Sequence, residues 1–295
     1  MARQDPTAFA AALPCWSGHV SPVPLAGGMT NSNFLIEDGG RRYVARIGGD
    51  IPAHSIVRVT ETAACRAAHE AGVSPQVFYS DPNALVIGFV EGKTFTPEDV
   101  RDRANHTRLI DLVRRAHREI PKYLRGPAPL FWVFQVVRHY GHLLRELGSP
   151  HVGELADFAA KADVLERAVG PLDLVFGHND LLAANIIDDG KKLWLVDWEY
   201  AGFNSPLFDL GGLASNSEVS PEPAENMAEL YFGRSVDEAL RRRMAAMTAA
   251  SLMRETLWSM VSEQTSPLSF DYRAYTAENL RRFAAAYDAF GEMSE

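Results

Sequence analysis

Residues Phe176 to Tyr200 read FGHNDLLAANIIDDGKKLWLVDWEY. Two short β-type runs, Ala184-Asn185-Ile186-Ile187 and Leu193-Trp194-Leu195-Val196, flank a loop holding Asp188, Asp189 and Gly190, which is a hairpin signal. Such a hairpin folds Asp197 back towards Asn185. Together with Asp180 just upstream, these make three polar residues beside apolar strands, a placement with a chemical purpose. Two oxygen ligands with a further carboxylate nearby suit a hard cation that arrives with substrate phosphates, and the stretch reads as a magnesium phosphotransfer site.

Working towards the N-terminus, the chain offers the other parts that such a reaction needs. Leu25-Ala26-Gly27-Gly28-Met29-Thr30-Asn31-Ser32-Asn33 joins a glycine pair to small polar residues and leads into the strand-like Phe34-Leu35-Ile36. A turn at Asp38-Gly39-Gly40 and a returning strand, Tyr43 to Ile47, complete a hairpin. Ile56, Val59, Ala63, Ala67 and Ala71 recur at helical spacing, with Gly72 at the capping position. Strands follow at Val77-Phe78-Tyr79 and Ala84 to Val90. Two strands, a helix and two more strands make a small α+β lobe spanning residues 1–90, and a short leading helix is expected at 5–16.

After Glu91-Gly92-Lys93 the periodicity turns helical. Thr96-Pro97-Glu98-Asp99 opens a helix with a cap, a first-turn proline and acids at the positive dipole end. Further helices are expected near 105–118, 132–147 and 154–168. Ser235-Val236-Asp237-Glu238 reads as a capping box before another, and a last helix carries Tyr275, Leu280, Phe283 and Tyr287. Residues 91–295 thus form a second, mostly helical lobe.

Composition narrows the class of partner. The 295 residues carry a formal charge of −9 and no basic run, which argues against nucleic acid or an anionic membrane surface. Two cysteines, Cys15 and Cys65, lack disulfide or metal spacing, so a reduced cytoplasmic setting is the default. The N-terminus does not read as a signal peptide, and no apolar run is long enough to span a bilayer. A soluble monomer or homodimer is expected.

His178-Asn179-Asp180-Leu181-Leu182-Ala183-Ala184-Asn185 resembles the HxDxxxxN catalytic loop of the aminoglycoside phosphotransferase and choline kinase superfamily, which shares the protein kinase fold. Asp197, seventeen residues after Asp180 (197 − 180), resembles that superfamily's metal-binding Asp. The local forms Asp197-Trp198-Glu199-Tyr200-Ala201-Gly202 and Pro206-Leu207-Phe208-Asp209-Leu210-Gly211-Gly212 resemble the choline/ethanolamine kinase branch. The resemblance implies an α+β, bilobal, protein-kinase-like fold: a small N-terminal antiparallel sheet with one main helix, then a larger helical lobe.

The resemblance also implies roles. Asp180 would orient the acceptor hydroxyl, and Asn185 and Asp197 would hold Mg2+ bridging the phosphates of ATP. Gly28, Thr30, Asn31 and Ser32 would cover those phosphates, although the loop departs from GxGxxG. Arg46, where the kinase fold usually has lysine, would contact them, paired to Glu61. Arg254 to Trp258 and Phe270 to Tyr275 resemble the family's C-terminal region, so Tyr200, Trp258 and Tyr275, with Tyr272 as substitute, would cage a cationic alcohol such as choline or ethanolamine. An aminoglycoside or other hydroxylated metabolite is the alternative acceptor. A non-catalytic relative that binds nucleotide or cation is the alternative of a different class.

Plainer readings stand beside these. His178 reads as a loop-shaping residue, and Asp209 as a tie between the catalytic loop and a helix start. Arg46 on a strand and Glu61 on a helix could be solvated, and Trp258 and Tyr275 fit core packing as well as a pocket. The methionine-containing face from Met244 to Met260 reads as core. Only twelve residues separate Asp197 from Asp209 (209 − 197), which leaves little room for an activation loop.

Overall fold

The computed structural model describes residues 5–26, 28–268 and 270–293, so Gly27 of the glycine pair lies outside the described residues. Helix α1 (Pro6–Ala11) is shorter than expected, because Pro14 disfavours a helical Leu13. A five-stranded antiparallel sheet follows: β1 (Val23–Leu25), β2 (Ser32–Asp38), β3 (Arg41–Ile47), then, after helix α2 (Arg58–Glu70), β4 (Val77–Asp81) and β5 (Ala84–Gly88). The spatial order is β1-β2-β3-β5-β4. The β2–β3 turn is two glycines, Gly39 and Gly40, at φ of 56° and 73° between paired Asp38 and Arg41. Positive φ at both central residues matches the right-handed strand twist and favours glycine.

Beyond β5 come β6 (Lys93–Thr94), α3 (Pro97–Arg101), α4 (Arg103–Tyr123), α5 (Val133–Glu146) and α6 (Leu155–Val169). The Thr96 N–H donates to Asp99 Oδ2 at 2.9 Å, closing the cap of α3. Four short strands surround the opening stretch of sequence: β7 (Val175–Gly177), β8 (Ile186–Asp188), β9 (Leu193–Leu195) and β10 (Gly202–Asn204). β8 pairs with β9 and with β6, while β7 pairs with β10.

Helices α7 (Pro206–Asn216), α8 (Pro221–Phe232), α9 (Glu238–Thr265) and α10 (Tyr272–Glu292) complete the chain. Helix α8 was unforeseen and α7 was anticipated only as a helix start at Asp209, although each opens on Ser-Pro, a cap and first-turn pair. The cap of α9 is Asp237, whose Oδ1 accepts the Leu240 N–H at 2.8 Å, and not Ser235 as the box spacing suggested.

Three apolar cores result. One lies between the sheet and α1, and includes Phe34, Ile36, Ala45 and Val86. A second runs without a break from α2 and β5 into α4, α7 and the β8–β9 hairpin. The third gathers α5, α6, α9 and α10. From Ala246 to Val261, α9 is buried on nearly every face, which makes it the post against which the others pack. No helix of the described residues is long and apolar enough to cross a membrane.

Candidate active site

The loop from His178 to Asn185 leaves β7 and enters β8, and its shape is set by buried polar groups. Asp209, in the first turn of α7, accepts the N–H groups of His178 and Asn179, each at 2.7 Å. Its Oδ2 also accepts from His117 Nε2 at 2.8 Å, and the other ring nitrogen of His117 meets the Tyr231 hydroxyl. Burial alone would raise the Asp209 carboxyl, yet the His117 hydrogen bond and the nearby imidazoles hold it below the usual range. His178 is buried, its Nε2 reaching the Val196 carbonyl at 2.9 Å, and burial lowers its pKa. Both side chains therefore shape the loop. Asp209→Ala, which orphans two buried N–H groups and His117, should cost about 3–5 kcal/mol, read as a lower urea midpoint at unchanged m-value.

The loop presents Asp180, whose side chain is 20% exposed. Burial first, then the negative charges of Glu255, Asp197 and Glu199, push its carboxyl up to about 8, against the opposing pull of Arg254. Asn185 sits one short helical turn on, its Nδ2 donating to the Asp180 carbonyl at 3.0 Å. Among the described residues its Oδ1 accepts no hydrogen bond, so that oxygen is free for a cation. Asp197 follows β9 in the left-handed region at φ 71°, which Asp tolerates better than most residues. The Val196 N–H donates to the Asn185 carbonyl at 3.0 Å, drawing the two ligand candidates together. No group of three or more His, Cys, Asp or Glu among the described residues could hold a metal by itself. One amide and one carboxylate are a donor set that substrate phosphates and water would complete for Mg2+.

Opposite stands a buried charge cluster. Arg46 Nη1 lies 2.8 Å from Glu61, and its Nη2 lies 2.6 Å from Asp197 and 3.6 Å from Glu199. Burial would discharge Arg46, but these three carboxylates outweigh it. Arg58 bridges Glu61 at 2.6 Å and Glu199 at 3.3 Å. Burial and the Asp197 charge raise Glu199 to about 7. The polar loop after Gly28 is tied to the same carboxylate: Thr30 Oγ1 donates to both Glu199 oxygens at 2.9 and 3.0 Å, and Asn31 Nδ2 lies 3.3 Å away. Gly28 has φ 97°, and a Cβ there would meet Asn33 Nδ2 at 2.8 Å, so the loop needs glycine. Thr30, Asn31 and Ser32 line a cleft of about 950 Å³ that reaches Trp258 on α9.

The four candidate cage rings lie together, with Trp258 in contact with each of the three tyrosines. Trp258 Nε1 donates to the Tyr200 hydroxyl at 2.9 Å. Trp258 stands edge-on to Tyr275, with centroids 6.5 Å apart, and 6.1 Å from Tyr272. Tyr275 donates its hydroxyl to Glu255 at 2.7 Å. Arg254 joins the rings to the catalytic loop, its guanidinium 4.6 Å from the centre of the Tyr200 ring and 3.6 Å from Asp180.

Sequence reasoning passed over Glu199, Arg58, Asn179, Arg254 and Glu255. Two of these had a readable signal, because Glu199 stands two residues after Asp197 and Glu255 three before Trp258. Asn179 had none: its amide bonds the Tyr200 and Gly202 carbonyls and Asn204, across contacts that only the fold creates.

A carboxylate at Asp180, a candidate cation-ligand pair at Asn185 and Asp197, and a polar glycine loop tied by Thr30 to Glu199 make a set of groups suited to phosphoryl transfer. The chain's relatives agree. The choline/ethanolamine kinase family model matches residues 23–220. The protein LicA of Haemophilus influenzae is 23% identical, over 93% of this chain and 81% of that protein. Ethanolamine kinase 2 of Mus musculus is 26% identical, over 87% of this chain and 73% of its own length. The crystal structure of a choline/ethanolamine kinase family protein from Mesorhizobium loti superposes with a TM-score of 0.78 at 29% identity, covering 97% of this chain and 96% of the other. With the family's pattern spanning both the polar glycine loop and the catalytic loop, the chain belongs to the choline/ethanolamine kinase family.

Proposed function

We propose that this chain transfers the γ-phosphate of ATP to the hydroxyl of a small amino alcohol of the choline and ethanolamine class. The observation that carries this reading is the convergence of Asp180, Asn185 and Asp197 with Arg46 on one side and an aromatic, acid-bearing pocket on the other. Residues 1–90 serve as the nucleotide-gripping lobe and 91–295 as the catalytic and acceptor lobe. Asp180 accepts a hydrogen bond from the acceptor hydroxyl, aims its oxygen at the phosphorus and takes its proton as the new bond forms. Asn185 Oδ1 and the Asp197 carboxylate hold Mg2+, which when bound neutralises charge on the phosphates. Arg46, kept in place by Glu61, adds a second positive charge. Backbone N–H groups after Gly28, with Thr30, Asn31 and Ser32, cover the phosphates. On ATP binding Thr30 and Asn31 exchange Glu199 for phosphate oxygens, and Arg58 balances the freed carboxylate.

A cytoplasmic setting is part of the same reading, supported by two free cysteines and by the location of ATP. The test is ADP release from Mg-ATP, followed by a coupled assay, with ethanolamine, choline and kanamycin as acceptors. Turnover of an amino alcohol is expected. Turnover of kanamycin with neither amino alcohol accepted would transfer the chain to the aminoglycoside reading.

A further inference from the structure

A quaternary ammonium has no N–H to donate, so it needs aromatic faces to rest on. Two of the four rings, Tyr200 and Trp258, already have a face covered from within the chain. On Tyr200 it is Arg254, 4.6 Å from the ring centre and 5.8 Å from that of Phe131. On Trp258 it is His54, stacked at 5.0 Å with 29° between the planes. His54 is fixed there by the Tyr140 hydroxyl at 3.3 Å and Ser262 Oγ at 3.1 Å.

Arg254 is equally fixed. It is 4% exposed, lies 2.5 Å from Glu255 and 3.6 Å from Asp180, and its Nη2 donates to the Asn179 carbonyl at 3.4 Å. Moving it away would leave two largely buried carboxylates without their nearest counter-charge. Glu255 is the open acceptor in the same place. Its oxygens receive one hydrogen bond each, from Arg254 and from Tyr275, and a carboxylate oxygen has room for another.

We propose that Arg254 is a specificity-determining residue: it fills the cation position on Tyr200, so that the acceptor's nitrogen is read by Glu255 through N–H hydrogen bonds. The acceptors selected are then alcohols with a primary or secondary ammonium, and each added N-methyl group removes a donor and pushes bulk against the guanidinium. This deepens the amino-alcohol reading above and rests on it.

The experiment measures kcat/KM at saturating Mg-ATP for ethanolamine, N-methylethanolamine, N,N-dimethylethanolamine and choline. In the unaltered protein the value should fall along the series, by at least tenfold in total. Arg254→Met should lower the absolute rates, since it removes a charge beside Asp180, yet raise the choline-to-ethanolamine ratio at least tenfold. Arg254→Lys, which keeps the charge and gives up the planar stack, should raise that ratio by a smaller factor and serves if the Met variant does not fold. Glu255→Gln should raise the ethanolamine KM at least tenfold and leave the ATP KM within threefold. Choline used as well as ethanolamine by the unaltered protein, or a ratio unmoved in a folded Arg254 variant, overturns the proposal alone. Turnover of none of the four sinks the amino-alcohol reading and the proposal with it.

Discussion

Asp180→Asn is expected to lower kcat by about 10³-fold, within the range that a positioned general base contributes, and to leave ATP affinity within a few-fold. The amide keeps the shape and can still meet a hydroxyl, so what disappears is the proton acceptor and its charge. The Asp180 carboxyl is pushed up to about 8 by burial, with Glu255, Asp197 and Glu199 adding to the rise. Acceptor kcat/KM in the unaltered enzyme should therefore climb with pH through that region, as the basic form becomes populated. Stability should move the other way. A folded-state pKa raised above the unfolded value of about 3.9 gives a contribution that is fully present below pH 4 and is lost as pH rises through about 8. Asp180→Asn escapes this loss. Its melting temperature should exceed that of the unaltered protein at pH 9, by an amount equivalent to several kcal/mol, and the gap should shrink towards pH 5. Rapid turnover by Asp180→Asn, or a gap that grows as the pH falls, would remove Asp180 from its assigned role.

The fold was legible wherever local pattern and tertiary demand agree. The hairpin around Gly39-Gly40, the helix ending before Gly72 and the β8–β9 hairpin announce themselves through turn residues and periodicity, and the structure has all three. What stayed hidden was long-range. Helix α7 is so evenly apolar that it has little helical pattern, because it is buried between α9 and the catalytic loop. The strands β7 and β10 are three residues each, and only their pairing across the catalytic loop makes them strands. Within the site, Asp180, Asn185 and Asp197 are close in sequence, so the hairpin pattern and the resemblance to the kinase motif together brought them into view. The buried cluster of Arg46, Arg58, Glu61 and Glu199 joins three distant segments, and nothing local indicates that Glu199 would tie down Thr30. The aromatic pocket shows the same limit: ring types could be read, but not that Arg254 and His54 cover them.

Asp197→Ala should reduce turnover by about 10³-fold or more, since removing a ligand to the ion that neutralises the phosphates forfeits several kcal/mol of transition-state stabilisation. The signature that distinguishes this from a general loss of structure is in ATP binding. Unaltered protein should bind ATP more tightly with Mg2+ than with EDTA, whereas the variant should bind with nearly equal affinity in both. A second readout follows from the cluster geometry. Asp197 lies 2.6 Å from Arg46 and is the leading charge that, after burial, raises Glu199 to about 7. Its removal turns Arg46 wholly towards Glu61 and Glu199, at 2.8 and 3.6 Å, and lowers the Glu199 pKa. Any limb of the ATP-binding pH profile near 7 should then shift to lower pH. Alanine in the left-handed conformation at φ 71° adds a backbone cost of about 1 kcal/mol, so Asp197→Asn, which tolerates that conformation, is the cleaner comparison. It should refold normally and still lose Mg2+-dependent tightening of ATP. Full turnover by Asp197→Asn, with Mg2+ dependence intact, would assign the cation to other ligands.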